Sequence, residues 1–310
     1  MTAFNRNTSL PFETPNYQQL MTCYDAERTA LWCYMNPNPR PAFNLTLLAE
    51  IHDLQNRVIS YLNSGNINEP IHYFVYASAT RGVFNLGGDV DLFIQLITNR
   101  DRDALYHYAR LCVDAVYSNA IGFGIPDLTT LALVQGSALG GGFECALSCN
   151  HMVAEENVQM GFPEILFNLF PGMGAMSFLS RRVGLTQAER LVQDGTMHDA
   201  LAMSKMGIVD ELAADGEGTQ AINQFIRQHQ RASNARLAIR QASQRIAPVT
   251  HQELIDITEL WVDAALRLTS RDLRMMSRIV AAQNRLEPEE SALTPSYQPA
   301  EANALEVVHA

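Results

Sequence analysis

The sequence predicts an α/β fold with a helical C-terminal region, and three observations carry that prediction. Short runs rich in β-formers at residues 31–35, 71–78, 131–135 and 151–154 read as buried strands. Segments with apolar residues at helical spacing stand between most of them. Glycine-rich loops follow the second and third runs, where open α/β sheets place their ligands, beyond the carboxyl ends of the strands.

The elements follow in order. Residues 1–25 form a polar lead-in. The 31–35 strand stops at the turn made by Pro37, Pro39 and Pro41. Asn44 is placed to cap a helix reaching about residue 62, with Leu47, Leu48, Ile51, Leu54, Val58 and Leu62 on one face. A loop over 63–70 leads to the 71–78 strand and then to Gly82-Val83-Phe84-Asn85-Leu86-Gly87-Gly88-Asp89. Helices are expected at 91–97 and 103–117. In the second of these, Tyr106-His107-Tyr108 needs no role beyond packing or solvent contact. The 131–135 strand enters Gly136-Ser137-Ala138-Leu139-Gly140-Gly141-Gly142-Phe143-Glu144, a helix covers 142–149, and 151–154 is the fourth strand. From Thr186 the pattern is mostly helical, ending in a long helix over 251–285 with a break near Thr269 and Ser270. Residues 287–310, with three prolines and many acids, read as a loosely docked tail. The organisation is thus a lead-in (1–25), a core (26–215), a C-terminal helical region (216–286) and a tail (287–310).

Composition narrows the function. With 310 residues, 47% of them hydrophobic, the chain can bury a sizeable core without disulfides. Its net charge of −11 argues against nucleic acid as main partner. Lys205 is the sole lysine, so arginine carries nearly all the positive charge. Five cysteines at uneven spacing do not form a secreted disulfide framework. Residues 1–16 lack the apolar stretch of a signal peptide, and no apolar run is long enough to span a membrane. The expectation is a cytoplasmic protein without membrane insertion. Cys145, Cys149 and His151 read as packing residues, and no metal site is expected. Signatures of zinc peptidases, serine hydrolases of the nucleophile-elbow type and P-loop nucleotidases are missing.

The candidate chemistry sits at the glycine loops. Unpaired N–H groups of Leu86 and Gly141 are the expected donors to an acyl carbonyl, strongest when its oxygen becomes negative. Glu144 falls in the first turn of a helix, where the dipole favours the ionised form and a base role. Glu164, in Gly161-Phe162-Pro163-Glu164 and followed by Ile165-Leu166-Phe167, is expected to hold its proton more tightly. An apolar tunnel for an acyl chain is expected from Met173, Met176, Phe178, Trp261, Met275, Met276 and Ile279, of which Met173 and Trp261 are the firmest candidates.

From about residue 31 to 212 the chain resembles the crotonase (enoyl-CoA hydratase/isomerase) superfamily. The resemblance rests on Phe84-Asn85-Leu86-Gly87-Gly88-Asp89, Gly140-Gly141-Gly142-Phe143-Glu144, Gly161-Phe162-Pro163-Glu164, Pro171-Gly172-Met173-Gly174 and Gly207-Ile208-Val209-Asp210, in family order. It implies a crotonase-like ββα spiral core, a homotrimer or dimer of trimers, an acyl thioester substrate and no separate cofactor. It also implies Glu144 and Glu164 as catalytic residues that add or remove water across C2–C3. Asn85, Gly87, Gly136, Gly172, Met173 and Trp261 are then the expected substrate-binding positions. The large Leu86, the scarcity of lysine and the C-terminal helix bearing Trp261 are similar to the bacterial diffusible signal factor synthases. That branch dehydrates 3-hydroxyacyl-ACP to cis-2-enoyl-ACP and hydrolyses the thioester, releasing a cis-2-unsaturated fatty acid for quorum sensing. By that resemblance, acyl carrier protein and a sensor kinase are expected partners. The alternatives are a general enoyl-CoA hydratase of fatty acid metabolism and a binding protein acting through such a kinase.

Overall fold

A computed structural model describes residues 10–65 and 68–283. The chain opens with an edge hairpin, β1 (Leu20–Asp25) and β2 (Ala30–Met35), followed by α1 (Leu45–Asn63). It then repeats one pattern: a strand of the main sheet, a three-residue strand of a second sheet, then helix. The first turn is β3 (Tyr73–Ser78) and β4 (Val83–Asn85), then α2 (Val90–Thr98) and α3 (Arg102–Ala120). The second is β5 (Thr129–Val134), β6 (Ser137–Leu139) and α4 (Gly141–Ser148). The third is β7 (His151–Glu155), β8 (Gln159–Gly161), a 3-10 turn over Pro163–Phe167, α5 (Ala175–Val183) and α6 (Leu185–Asp194). Strand β9 (Met197–Asp199), α7 (Ala200–Lys205) and β10 (Glu211–Ala213) close the core, and α8 (Gly218–Gln230), α9 (Ser233–Ile246), α10 (His251–Ala265) and α11 (Ser270–Gln283) follow.

The main sheet has six strands in the order β1-β2-β3-β5-β7-β10, parallel throughout except for the β1–β2 hairpin. The second sheet has the order β4-β6-β8-β9. Consecutive turns of the spiral therefore stack strand on strand. The centre of the main sheet is covered on both faces, which is why β2, β3 and β5 are buried almost throughout. One face packs Trp32, Val75, Leu131, Leu133 and Val153 against Ile222, Phe225 and Ile226 of α8. The other sets Leu31, Cys33, Phe74, Ala132 and Met152 in the large cluster with α1, α3 and α4.

Side-chain caps start the helices at their expected places. Asn44 accepts from Leu47 N at 2.9 Å, and Asp89, Asp101 and Thr250 cap α2, α3 and α10 in the same way. The expected break in the last helix separates α10 from α11, where Asp272 accepts from Thr269 N at 2.8 Å.

Three expectations are corrected. Residues 20–25 are not lead-in but an edge strand, because Leu20 and Tyr24, four apart, both reach the core. The stretch after residue 186 contains β9 and β10 among its helices. The glycine loops are themselves partly β-structure, since β4, β6 and β8 lie within or beside them. The tail assigned to 287–310 falls outside the described residues. No described helix is long and apolar enough to cross a membrane.

Candidate active site

Beyond the carboxyl ends of β3 and β5, the two glycine loops meet. The first is built on a short ladder against residues 41–43. Leu86 N–H donates to Pro41 O at 2.7 Å and Phe43 N–H to Gly87 O at 2.7 Å, while Asn85 Oδ1 accepts from Gly87 N at 2.8 Å. Tyr108 Oη donates to Phe43 O and accepts from Asp89 N at 3.0 Å. Arg40 adds an ion pair to Asp89 at 3.2 Å and another to Asp91 at 2.7 Å.

This ladder decides which N–H groups are available. That of Leu86, expected to face the ligand, is committed to Pro41. A trans peptide points its C=O and N–H in opposite directions. Because Gly87 O is anchored on Phe43, the next N–H, that of Gly88, is turned the other way, toward Gly141. A Cβ at Gly141 would stand 3.5 Å from Gly88 N, and one at Gly87 only 3.0 Å from Gly141 N. Gly87 has φ +96°, so glycine is required there both for conformation and for this close approach. Gly141 N–H belongs to the first turn of α4 and has no intrahelical acceptor. Gly88 and Gly141 are therefore the candidate donor pair, and Leu86 contributes a side-chain wall to the cavity instead.

Two carboxyl groups face the same cavity. Glu144 is 1% exposed, and its Oε1 accepts from Met173 N at 2.7 Å and Ala175 N at 2.8 Å. Burial pushes its pKa up to about 7, although those two backbone donors pull the other way. The helix dipole does not hold it in the ordinary carboxylate range, as the sequence had suggested. Glu164 enters on the 3-10 turn after Pro163. Its Oε2 is out of contact with solvent and has no hydrogen-bond partner among the described residues. Burial, then the neighbouring Glu144, raise its pKa to about 8. Gly140, at φ +50°, lets Glu164 close in: a Cβ there would stand 2.3 Å from Oε1.

The cavity holds about 70 Å³, room for a few waters. Gly88, Gly140, Gly141 and the two glutamates bound it, and its remaining wall is apolar: Leu86, Phe93, Phe167, Leu169, Met173, Trp261 and Ile279 among others. Of the expected tunnel residues, Met173, Trp261 and Ile279 line it, and so does Gly172, against which the Trp261 ring packs. Met176, Phe178 and Met276 pack in the core, and Met275 is exposed. Asn85 and Gly87 shape the first loop from behind. Gly136 lies where the chain crosses Gly82 and Val83, away from the cavity. Sequence reasoning missed Gly88, Phe93, Tyr108, Ala109 and Cys112. The 108, 109 and 112 spacing on one helical face was the available signal. Cys145 and Cys149 are buried, and His151 stacks on Phe225 with ring centroids 3.9 Å apart.

Two backbone N–H groups and two carboxyl groups on one cavity suit proton transfer beside a carbonyl that becomes negative. The chain matches the enoyl-CoA hydratase/isomerase family over residues 36–279. It belongs to that family, within the crotonase superfamily. An enoyl-CoA isomerase/hydratase of Mycosarcoma maydis is 34% identical over 149 residues, 47% of this chain and 54% of the relative. The fatty acid oxidation complex subunit alpha of Acinetobacter baylyi is 27% identical over 57% of this chain and 25% of its own length. The chain thus spans about half or less of the curated relatives it matches. The fold is shared with human mitochondrial delta3-delta2-enoyl-CoA isomerase (TM-score 0.66, 17% identity, 86% of this chain and 99% of that one). It is also shared with Pseudomonas aeruginosa DspI (TM-score 0.60, 23% identity, 90% and 98%).

Proposed function

We propose that the protein adds water reversibly across the C2–C3 double bond of an acyl thioester. The observation that carries this is the pair Glu144 and Glu164 in one largely apolar cavity, which Gly88 and Gly141 also line. In the hydration direction one carboxylate takes a proton from water as its oxygen bonds to C3. The C2–C3 π electrons move toward the thioester, and the oxygen, now negative, is held by the two N–H groups. The other carboxyl group then protonates C2. The higher pKa of Glu164 suits the donor, but the two titrate as a pair. No separate cofactor or metal enters these steps. The test is incubation with trans-2-enoyl thioesters, following loss of the conjugated absorbance. An inert, folded protein across a range of chain lengths would sink this reading.

A narrower reading is favoured by Leu86 and Trp261, two large side chains on the cavity wall. Under it, we infer, the protein is a signal synthase: it dehydrates a 3-hydroxyacyl-ACP to the cis-2-enoyl thioester. Water then attacks the carbonyl, the carbon–sulfur bond breaks, and free cis-2-unsaturated acid and thiol leave. A general enoyl-CoA hydratase accounts for the family membership equally well. Mass spectrometry of products from 3-hydroxyacyl-ACP and 3-hydroxyacyl-CoA separates them: free cis-2-enoic acid supports the synthase, and thioester products alone exclude it. A sensor-kinase partner belongs to the synthase reading, and a trimeric state to the family resemblance. Co-purification and light scattering test them.

A further inference from the structure

We propose that Tyr108 is a positioning residue that sets the direction of the Gly88 N–H donor by clamping the first glycine loop to the Pro41–Phe43 segment. This rests on the reading of the cavity as an acyl-thioester site. Tyr108 sits on α3, 2% exposed, far in sequence from both segments it joins. Its hydroxyl donates to Phe43 O and accepts from Asp89 N at 3.0 Å, so one oxygen bridges the two backbones. Burial raises its pKa well above the ordinary tyrosine value, which keeps the phenol protonated and able to donate.

The consequence lies one peptide away. Phe43 N–H holds Gly87 O at 2.7 Å, and that bond turns Gly88 N–H toward Gly141. Phe43 is held in turn through its own carbonyl by Tyr108, and the far side of Gly88 through Asp89 N by the same hydroxyl. The ring of Phe93 closes the remaining space: a Cβ on Gly88 would stand 2.5 Å from it, and Phe93 meets the Tyr108 ring edge-on with centroids 5.2 Å apart. Without the hydroxyl, the buried Phe43 carbonyl and the part-buried Asp89 N–H lose a partner, which favours a shift of the loop to satisfy them. A donor misplaced by a fraction of an ångström still permits binding but stabilises the developing oxyanion less.

The experiment uses Tyr108→Phe, which keeps the ring. With enoyl thioesters, kcat is expected to fall by about 10- to 100-fold with KM changed less than about threefold. A second readout needs no turnover: the infrared carbonyl stretch of bound octanoyl-CoA carrying 13C at the carbonyl. In the wild-type protein the stretch shifts to lower wavenumber on binding, and in Tyr108→Phe much of that shift is lost. An unchanged shift with unchanged kcat overturns the clamp. A wild-type protein that binds the probe with the shifted stretch but does not hydrate overturns the hydratase reading and leaves the clamp standing. If Tyr108→Phe does not fold, amide hydrogen exchange on the wild type decides: Asp89 N–H should be protected without ligand and Gly88 N–H only with octanoyl-CoA. Equal exchange of the two without ligand overturns the proposal.

Discussion

The two glutamates share a cavity and differ in how they are mounted. Glu144 projects from α4, surrounded by core, with one oxygen fixed by two backbone N–H groups of the turn that starts α5. Glu164 projects from a 3-10 turn whose next two residues, Ile165 and Leu166, are exposed, and its Oε2 has no partner among the described residues. Burial pushes the pKa of both above the ordinary carboxyl range, but Glu144 Oε1 is anchored by two backbone donors while Glu164 Oε2 has no partner among the described residues and Gly140 leaves room beside Oε1. One residue type thus supplies a doubly anchored group and a less anchored one, and the backbone around each makes the difference.

The sharpest way to break the contrast is to remove each carboxyl group. Glu144→Gln and Glu164→Gln are each expected to cut hydration by about 10²- to 10⁴-fold. Both should remain folded, since a glutamine oxygen can still accept from Met173 and Ala175; circular dichroism checks this beside kinetics. Next in size is Gly140→Ala, whose Cβ would stand 2.3 Å from Glu164 Oε1, at a backbone φ of +50° that favours glycine. It should lower kcat by about 10²-fold by displacing the Glu164 carboxyl and straining the turn that leads into Gly141. Wild-type rates in that variant would show that Glu164 does not need its place. Gly172→Ala forces a Cβ to within 2.4 Å of the Trp261 ring on the cavity wall. Its expected effect is about tenfold on the ratio of kcat/KM for long over short acyl chains.

The smallest expected effect is on stability against pH. A carboxyl group whose folded pKa is raised keeps its proton in the folded state after the unfolded chain has lost it. The folded state then binds more protons, so stability is full below the unfolded pKa and falls as pH rises through the folded one. For this pair the window runs from about pH 4.5 to about pH 8. Tm should therefore drop across it, and Glu164→Gln should flatten the drop. A Tm that rises from pH 5 to 8 in the wild type but not in the variant would contradict the burial account.

How much of this was legible depended on the range of the interaction responsible. Strands β2, β3, β5 and β7, the cap at Asn44 and the break between α10 and α11 follow from local patterns, and the sequence reading placed them within a few residues; the equally long edge strand β1 and the caps at Asp89 and Asp101 were not read from it. The three-residue strands β4, β6 and β8 escaped it, because strands that short are defined by their neighbours in the sheet rather than by their own alternation. Glu144, Glu164 and Gly141 stand in motifs contiguous in sequence and were named from it, and all three line the cavity. Gly88 was passed over for Leu86 because the choice between neighbouring N–H groups is made by Pro41 and Phe43, more than forty residues upstream. Tyr108 reads as ordinary helix surface until α3 is laid beside that ladder.

By itself the sequence determined the class of fold, the two carboxyl groups and the two glycine loops, since each is written in propensity, spacing or a continuous motif. Only the tertiary structure decided which donors face the cavity, that burial outweighs the helix dipole at Glu144, and which apolar side chains form the wall. Those outcomes depend on the direction of single peptide planes and on what lies within a few ångströms, and chain segments far apart in sequence set both.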